Sequence, residues 1–186
     1  MGQMKETGGY MRFFQLCLIA TMSILFGCSS AQMANNELLK RAESAAPSDI
    51  SSTATILAVD GTVLREGTSD WVCYPGIPLM PGDLHPMCVD SVWQDFLKSA
   101  SEGKPFVTSS MGISYMLQGD ANVSNANPMA TDPNNGDVWV KEGPHLMIAV
   151  PKYLLKDLSE DPYNGGPYVM WKDTPYAHIM VPIKNK

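Results

Sequence analysis

Each of the three histidines in this chain has a methionine two residues after it: His85-Pro86-Met87, His145-Leu146-Met147 and His178-Ile179-Met180. On a β-strand, residues i and i+2 point to the same face, so such a pair presents an imidazole beside a thioether. Thioether sulfur selects Cu(I), and imidazole accepts copper in either oxidation state. Copper binding is therefore the chemistry these residues suggest, with His145, Met147, His178 and Met180 as the main candidate ligands and His85 and Met87 as secondary ones. His85 sits in a proline-rich stretch where strand geometry does not apply.

Two of the pairs have similar surroundings, Pro144 to Lys152 and Ala177 to Lys184, each with branched aliphatics at the alternate positions. If these strands are neighbours in register, the four ligands converge on one patch while Leu146, Ile148, Ile179 and Val181 enter the core. One shared metal centre needs the four side chains within about 10 Å, because metal–nitrogen bonds run near 2 Å. The competing reading is packing. Methionine fills sheet interiors, a buried histidine can donate to a backbone carbonyl, and Met80, Met111, Met116, Met129 and Met170 show how common methionine is among these 186 residues.

The elements that must position these residues read as α+β, a mostly antiparallel sheet with one main helix. Ala54 to Val59 and Thr62 to Arg65 are β-prone runs joined by Asp60-Gly61, a hairpin signature. Asp70 to Tyr74 adds a strand. Val89, Val92, Trp93, Phe96 and Leu97 then fall at helical spacing, with Asp90 or Ser91 to cap and Gly103 and Pro105 to stop, which predicts a helix over about residues 89–102. Period two returns at Ile113 to Gln118, and Asp137 to Glu142, His145 to Val150, Tyr168 to Lys172 and Ala177 to Ile183 also read as strands. Asp132 to Asp137 has the oxygens of a calcium loop but not the glutamate that completes one, so turn chemistry is the better account.

Upstream, Arg12 precedes an apolar run from Phe13 to Phe26 that is too short for a transmembrane helix and ends in Gly27-Cys28. Residues 1–27 are read as a signal peptide, and residues 1–10, which carry no signal character, as a misassigned start. Ser29 to Ser52 is rich in Ser, Ala, Asn and charge, with only a brief helical tendency at Asn36 to Ala45, so residues 28–52 are expected to be a flexible tether and 53–186 one globular domain. Cys73 and Cys88 flank the proline-rich stretch and are expected to form a disulfide outside the cytoplasm. Thiolate metal ligands or a redox couple are the alternative, without C-x-x-C spacing to support them.

Leu25-Phe26-Gly27-Cys28 resembles the lipobox of bacterial lipoproteins, in which the cysteine receives diacylglycerol before cleavage. That resemblance implies a membrane anchor through lipid on Cys28. Ser29, where aspartate would retain the protein at the inner membrane, points to the outer membrane facing the periplasm. The span from His145 to His178-Ile179-Met180 resembles the outer part of the ligand frame of cupredoxin-like periplasmic copper chaperones, although the inner methionine of that frame falls on Lys156, which is no ligand, with Met170 nearby in sequence. Trp71 to Gly76 and Gly165 to Trp171 resemble segments of uncharacterised bacterial exported proteins, which implies no activity.

The formal charge is −6, and loss of Lys5, Glu6 and Arg12 with the signal leaves about −7, so phosphate backbones are repelled and nucleic acid is not an expected partner. No G-x-S-x-G, H-E-x-x-H, Walker loop or dinucleotide glycine turn is present. Ser101-Glu102-Gly103-Lys104 has S-x-x-K spacing but lies at a broken helix end. Asp157, Glu160, Asp161 and Asp173 offer carboxylates for an acid–base pair without indicating which of them would meet, and a solvated acidic rim fits them as well. Three function classes follow: a copper-binding or copper-delivering lipoprotein, an envelope interaction module with a protein partner and no catalysis, and a hydrolase with an unrecognised site. Enzymatic activity is the least supported of these.

Overall fold

The computed structural model describes residues 2, 32–80 and 82–183. The apolar run Phe13–Phe26, Cys17 and Cys28, and with them the signal and lipidation readings, lie outside the described residues. Leu38 to Lys186 forms one compact unit, and the stretch up to Glu37 is a separate one. Among the described residues no helix is long and apolar enough to cross a membrane.

The fold is α+β, as expected, and is built on an eight-stranded sheet in the order β2-β1-β3-β4-β5-β8-β10-β9. Its strands are β1 (Thr55–Leu57), β2 (Val63–Arg65), β3 (Val72–Tyr74), β4 (Met87–Val89), β5 (Gly112–Met116), β8 (His145–Ala149), β9 (Tyr168–Met170) and β10 (His178–Pro182). A separate antiparallel pair, β6 (Asn122–Ser124) and β7 (Trp139–Lys141), lies in the long polar segment between β5 and β8. All pairings in the main sheet are antiparallel except β1 with β3, which runs parallel because the β1–β2 hairpin turns outward and β3 returns to the free side of β1.

Helix α3 (Ser91–Ser101) crosses one face of this sheet and buries Trp93, Phe96 and Leu97 at i, i+3 and i+4. Side chains of this size contribute about 2–3 kcal/mol each when fully removed from water. Asp90 fixes the helix start twice over: one carboxylate oxygen accepts from the Trp93 N–H at 2.9 Å and the other from the Ile113 N–H at 2.7 Å, tying the cap to β5. Gly112 makes the close approach workable, since a Cβ there would stand 2.7 Å from Cβ of Val92.

The reverse face is covered too. Residues 32–43 are helical (α1), and a short helix, α2 (Ser48–Ser51), follows. Ala42, Ala45 and Ala46 are buried in a cluster with Ala54, Ile56, Cys73 and Cys88. Arg65 holds this segment down: it pairs with Glu43 and donates to the carbonyls of Ser51 and Ala54 at 2.5 and 3.1 Å. The Leu117 N–H donates to the Ala45 carbonyl at 3.0 Å. The folded body therefore takes in much of the stretch expected to be tether. Alanine gives no broad apolar stripe, yet its small side chain lets a helix sit close on a sheet.

Cys73 and Cys88 stand directly opposite in the β3–β4 ladder with Cα atoms 4.0 Å apart and form the expected disulfide. It closes the proline-rich loop and contributes about 3 kcal/mol.

Candidate functional site

The face beneath α3 is ordered by register into three rows of side chains. The middle row runs Val72, Val89, Ser114, Met147, Met180, Tyr168. Toward one end of the strands lies a row in which Tyr74 faces Met87 and Met116 faces His145, with Pro182 beyond. Toward the other end, Gly112 faces Ala149 and His178 faces Met170.

His145, Met147, His178 and Met180 thus share a face on adjacent strands, but that face is the core. They are 0%, 7%, 1% and 0% exposed, which decides that any ligand reaching them must be dehydrated. Leu146, Ile148, Ile179 and Val181 line the reverse face and are half-buried, the opposite of the arrangement expected from the sequence. Because α3 and its aromatic stripe cover the His/Met face, the polar-looking side of the alternation is the drier one.

Both imidazoles are held the same way. His145 Nδ1 donates to the Gly143 carbonyl at 2.7 Å and His178 Nδ1 donates to the Tyr176 carbonyl at 2.9 Å, in each case two residues back along the chain. That bond fixes the tautomer, so Nε2 carries the lone pair. The Nε2 atoms of both rings are buried and make no hydrogen bond among the described residues. A buried acceptor left this way costs about 1–3 kcal/mol. Burial also keeps the rings neutral: it drives the His178 pKa down to about 4 against the opposing pull of the Tyr176 carbonyl, with a further small push from His145, and it lowers His145 as well.

His178 lies within a ring of aromatics, its centroid 5.4 Å from Trp93, 5.8 Å from Phe96 and 5.0 Å from Trp171. Trp171 adopts φ 57°, which non-glycine residues seldom occupy. It is held there by its indole N–H on the Ser124 carbonyl and its backbone N–H on the Asn125 carbonyl, both at 2.8 Å. His145, by contrast, has Met116 across from it, with Met87 in the same row.

The two histidines do not sit side by side. They are four residues apart along the register and one strand apart, roughly 14 Å at Cα from the strand rise and spacing. His85 is not on a strand; its ring is turned to Asp83, Nδ1 to carboxylate 3.1 Å, while Met87 packs into the core. Among the described residues no three His, Cys, Asp or Glu side chains gather as a metal-binding group.

Sequence reasoning missed a second cluster at the His145 end. The Tyr168 hydroxyl donates to Glu142 at 2.9 Å, and both residues are buried. Asp120 is also buried; its pKa is pushed up to about 6, first by burial and then by the like charges of Asp83 and Glu142, against the Ala121 N–H and His85. Gly119 is required here, at φ 84° and with any Cβ 2.8 Å from the Glu142 carbonyl oxygen. The carboxylates singled out from sequence, Asp157, Glu160, Asp161 and Asp173, are instead exposed, with Glu160 paired to Lys172 and Asp161 capping the Tyr163 N–H. In the loop at Asp132 to Asp137 the side-chain oxygens accept from Asn134, Asn135, Asp137 and Ser124, which is turn chemistry. Lys104 pairs with Glu102 and Ser101 with the Lys98 carbonyl, so the S-x-x-K spacing joins nothing. Comparison with protein-family models, with curated proteins and with solved structures gives no match.

Proposed function

We propose that this chain is an exported lipoprotein, anchored to the periplasmic face of the outer membrane by lipid on Cys28, that binds Cu(I) through His145 and His178 with methionine thioethers. The observation that carries the copper reading is the pair of buried imidazoles whose Nδ1–H is spent on a carbonyl and whose Nε2 makes no hydrogen bond among the described residues, on a face rich in methionine. A neutral, oriented, dehydrated imidazole beside thioether sulfur suits a soft monovalent ion and offers little to a hard divalent one. The core-packing alternative accounts for the Nδ1 bonds and for methionine's presence but leaves both Nε2 lone pairs unpaired among the described residues, as it leaves the Trp93 indole N–H and the Ser114 hydroxyl on the same face. The Cys73–Cys88 disulfide supports export to an oxidising compartment.

The test is a competitive Cu(I) titration of the full chain carrying Cys17→Ser and Cys28→Ser, which removes the free thiols, in detergent with ascorbate and a bicinchoninate competitor. Uptake that is lost in the His145→Asn, His178→Asn double variant supports the reading. Asparagine can still donate to the same carbonyls, so the fold is retained. Equal uptake by parent and double variant removes the reading.

A further inference from the structure

The geometry points to two separate copper sites rather than one shared centre, and it enlists methionines outside the H-x-M pairs; this rests on the copper reading above. The first site is His145 with Met116, which faces it across the β5–β8 ladder, and the second is His178 with Met170, which faces it across the β9–β10 ladder. Residues directly opposite in an antiparallel pair have Cβ atoms about 5 Å apart, whereas residues i and i+2 on one strand stand roughly 7 Å apart. The cross-strand methionine therefore has its Cβ nearer to that of each histidine than the methionine of the H-x-M pair does. Met147 and Met180 occupy the row between, opposite each other, and supply a further sulfur to either site.

A shared centre would have to be spanned from two Cα atoms roughly 14 Å apart across that middle row in a packed core, at the limit of what two imidazoles with metal bonds of about 2 Å can reach. A linear nitrogen–copper–sulfur unit is far less demanding. With bonds of about 2.0 and 2.3 Å it spans little more than an ordinary non-bonded contact, so Cu(I) can enter between imidazole and thioether with small side-chain shifts. The sites also differ in their walls. His178 is enclosed by Trp93, Phe96 and Trp171, while His145 lies at the end of the face that carries Glu142, which interacts electrostatically with it. A site walled by rings holds its ion without water, and the two affinities are expected to differ.

Stoichiometry and single variants decide the matter in the same cysteine-free full chain. Two equivalents of Cu(I) are expected, with His145→Asn and His178→Asn each removing one and leaving the other. Met116→Leu is expected to weaken only the equivalent lost in His145→Asn, and Met170→Leu only the other, each by about tenfold or more, or roughly 1.4 kcal/mol. Leucine preserves the packing volume, so these two variants stay folded. A single equivalent abolished by either histidine substitution alone would overturn the two-site arrangement and leave copper binding intact. No uptake beyond that of the double histidine variant would overturn both.

Discussion

His178 faces Met170 directly across the β9–β10 ladder, and four residues along the register His145 faces Met116 across the β5–β8 ladder. Neither methionine belongs to an H-x-M pair, so each imidazole also faces a methionine of a neighbouring strand.

Replacing Met116 or Met170 by leucine separates packing from chemistry. Each change should cost the metal-free protein less than about 1.5 kcal/mol in urea unfolding, because the volume is conserved. The rise in Tm that Cu(I) gives the parent should shrink in both variants. A variant that unfolds as easily as an alanine substitution would show that the thioether is needed for structure.

Stability should depend on pH through opposed groups, His178 and His145 on one side and Asp120 on the other. His178 has its folded pKa lowered from 6.5 to about 4, so the unfolded chain takes up a proton that the native state refuses, and stability falls as pH drops from about 6.5 toward 4. Asp120 has its folded pKa raised from 3.8 to about 6, so the native state holds the extra proton, and stability falls as pH rises from about 4 to 6. Asp120→Asn keeps an acceptor for the Ala121 N–H and removes the buried charge. It should stabilise the protein at pH 7, on the order of 2 kcal/mol, and expose an uncompensated loss of stability on the acid side. An unchanged pH profile of the unfolding midpoint would contradict this account of Asp120.

The disulfide pair Cys73→Ala, Cys88→Ala should lower unfolding free energy by about 3 kcal/mol. Far-UV circular dichroism should be retained, because both β3 and β4 keep their ladders to β1 and β5. Loss of the fold at room temperature would mean that the bridge contributes more than loop closure.

If Cys28 is lipidated, Cys28→Ser should move the protein from the detergent phase to the aqueous phase on Triton X-114 partitioning and abolish incorporation of labelled palmitate. Labelling that survives the substitution would place the lipid elsewhere or remove it from the account.

The parts of this molecule that could be read from sequence are those specified by neighbouring residues. Asp60-Gly61 between β-prone runs gives the hairpin, and the Trp93–Phe96–Leu97 stripe with Asp90 before it gives α3. The packing of α1 and of the turn after it was hidden because Ala42, Ala45 and Ala46 carry too little apolar surface to mark a buried face. Strand β4 was hidden as well, being three residues long and pressed against the proline loop. Alternation correctly put His145, Met147, His178 and Met180 on one side of their strands, yet period two cannot say which side is covered. Here the His/Met side is covered by α3, while the other side is half-buried, with Ile179 packed against Leu155, Val169 and Ala177. Register between strands is a property of the assembled sheet, so Met116 gave no signal of its own and Met170 only its place in sequence between the two histidines. The same holds for Asp120, Glu142 and Tyr168, which meet from three separate segments.

Copper K-edge X-ray absorption on the Cu(I)-loaded, cysteine-free full chain addresses the central claim most directly. The account predicts scattering from imidazole nitrogen near about 2.0 Å together with sulfur near about 2.3 Å, both absent when the His145→Asn, His178→Asn protein is treated in the same way. A spectrum of light-atom ligands without sulfur, or one unchanged in the double variant, would contradict it.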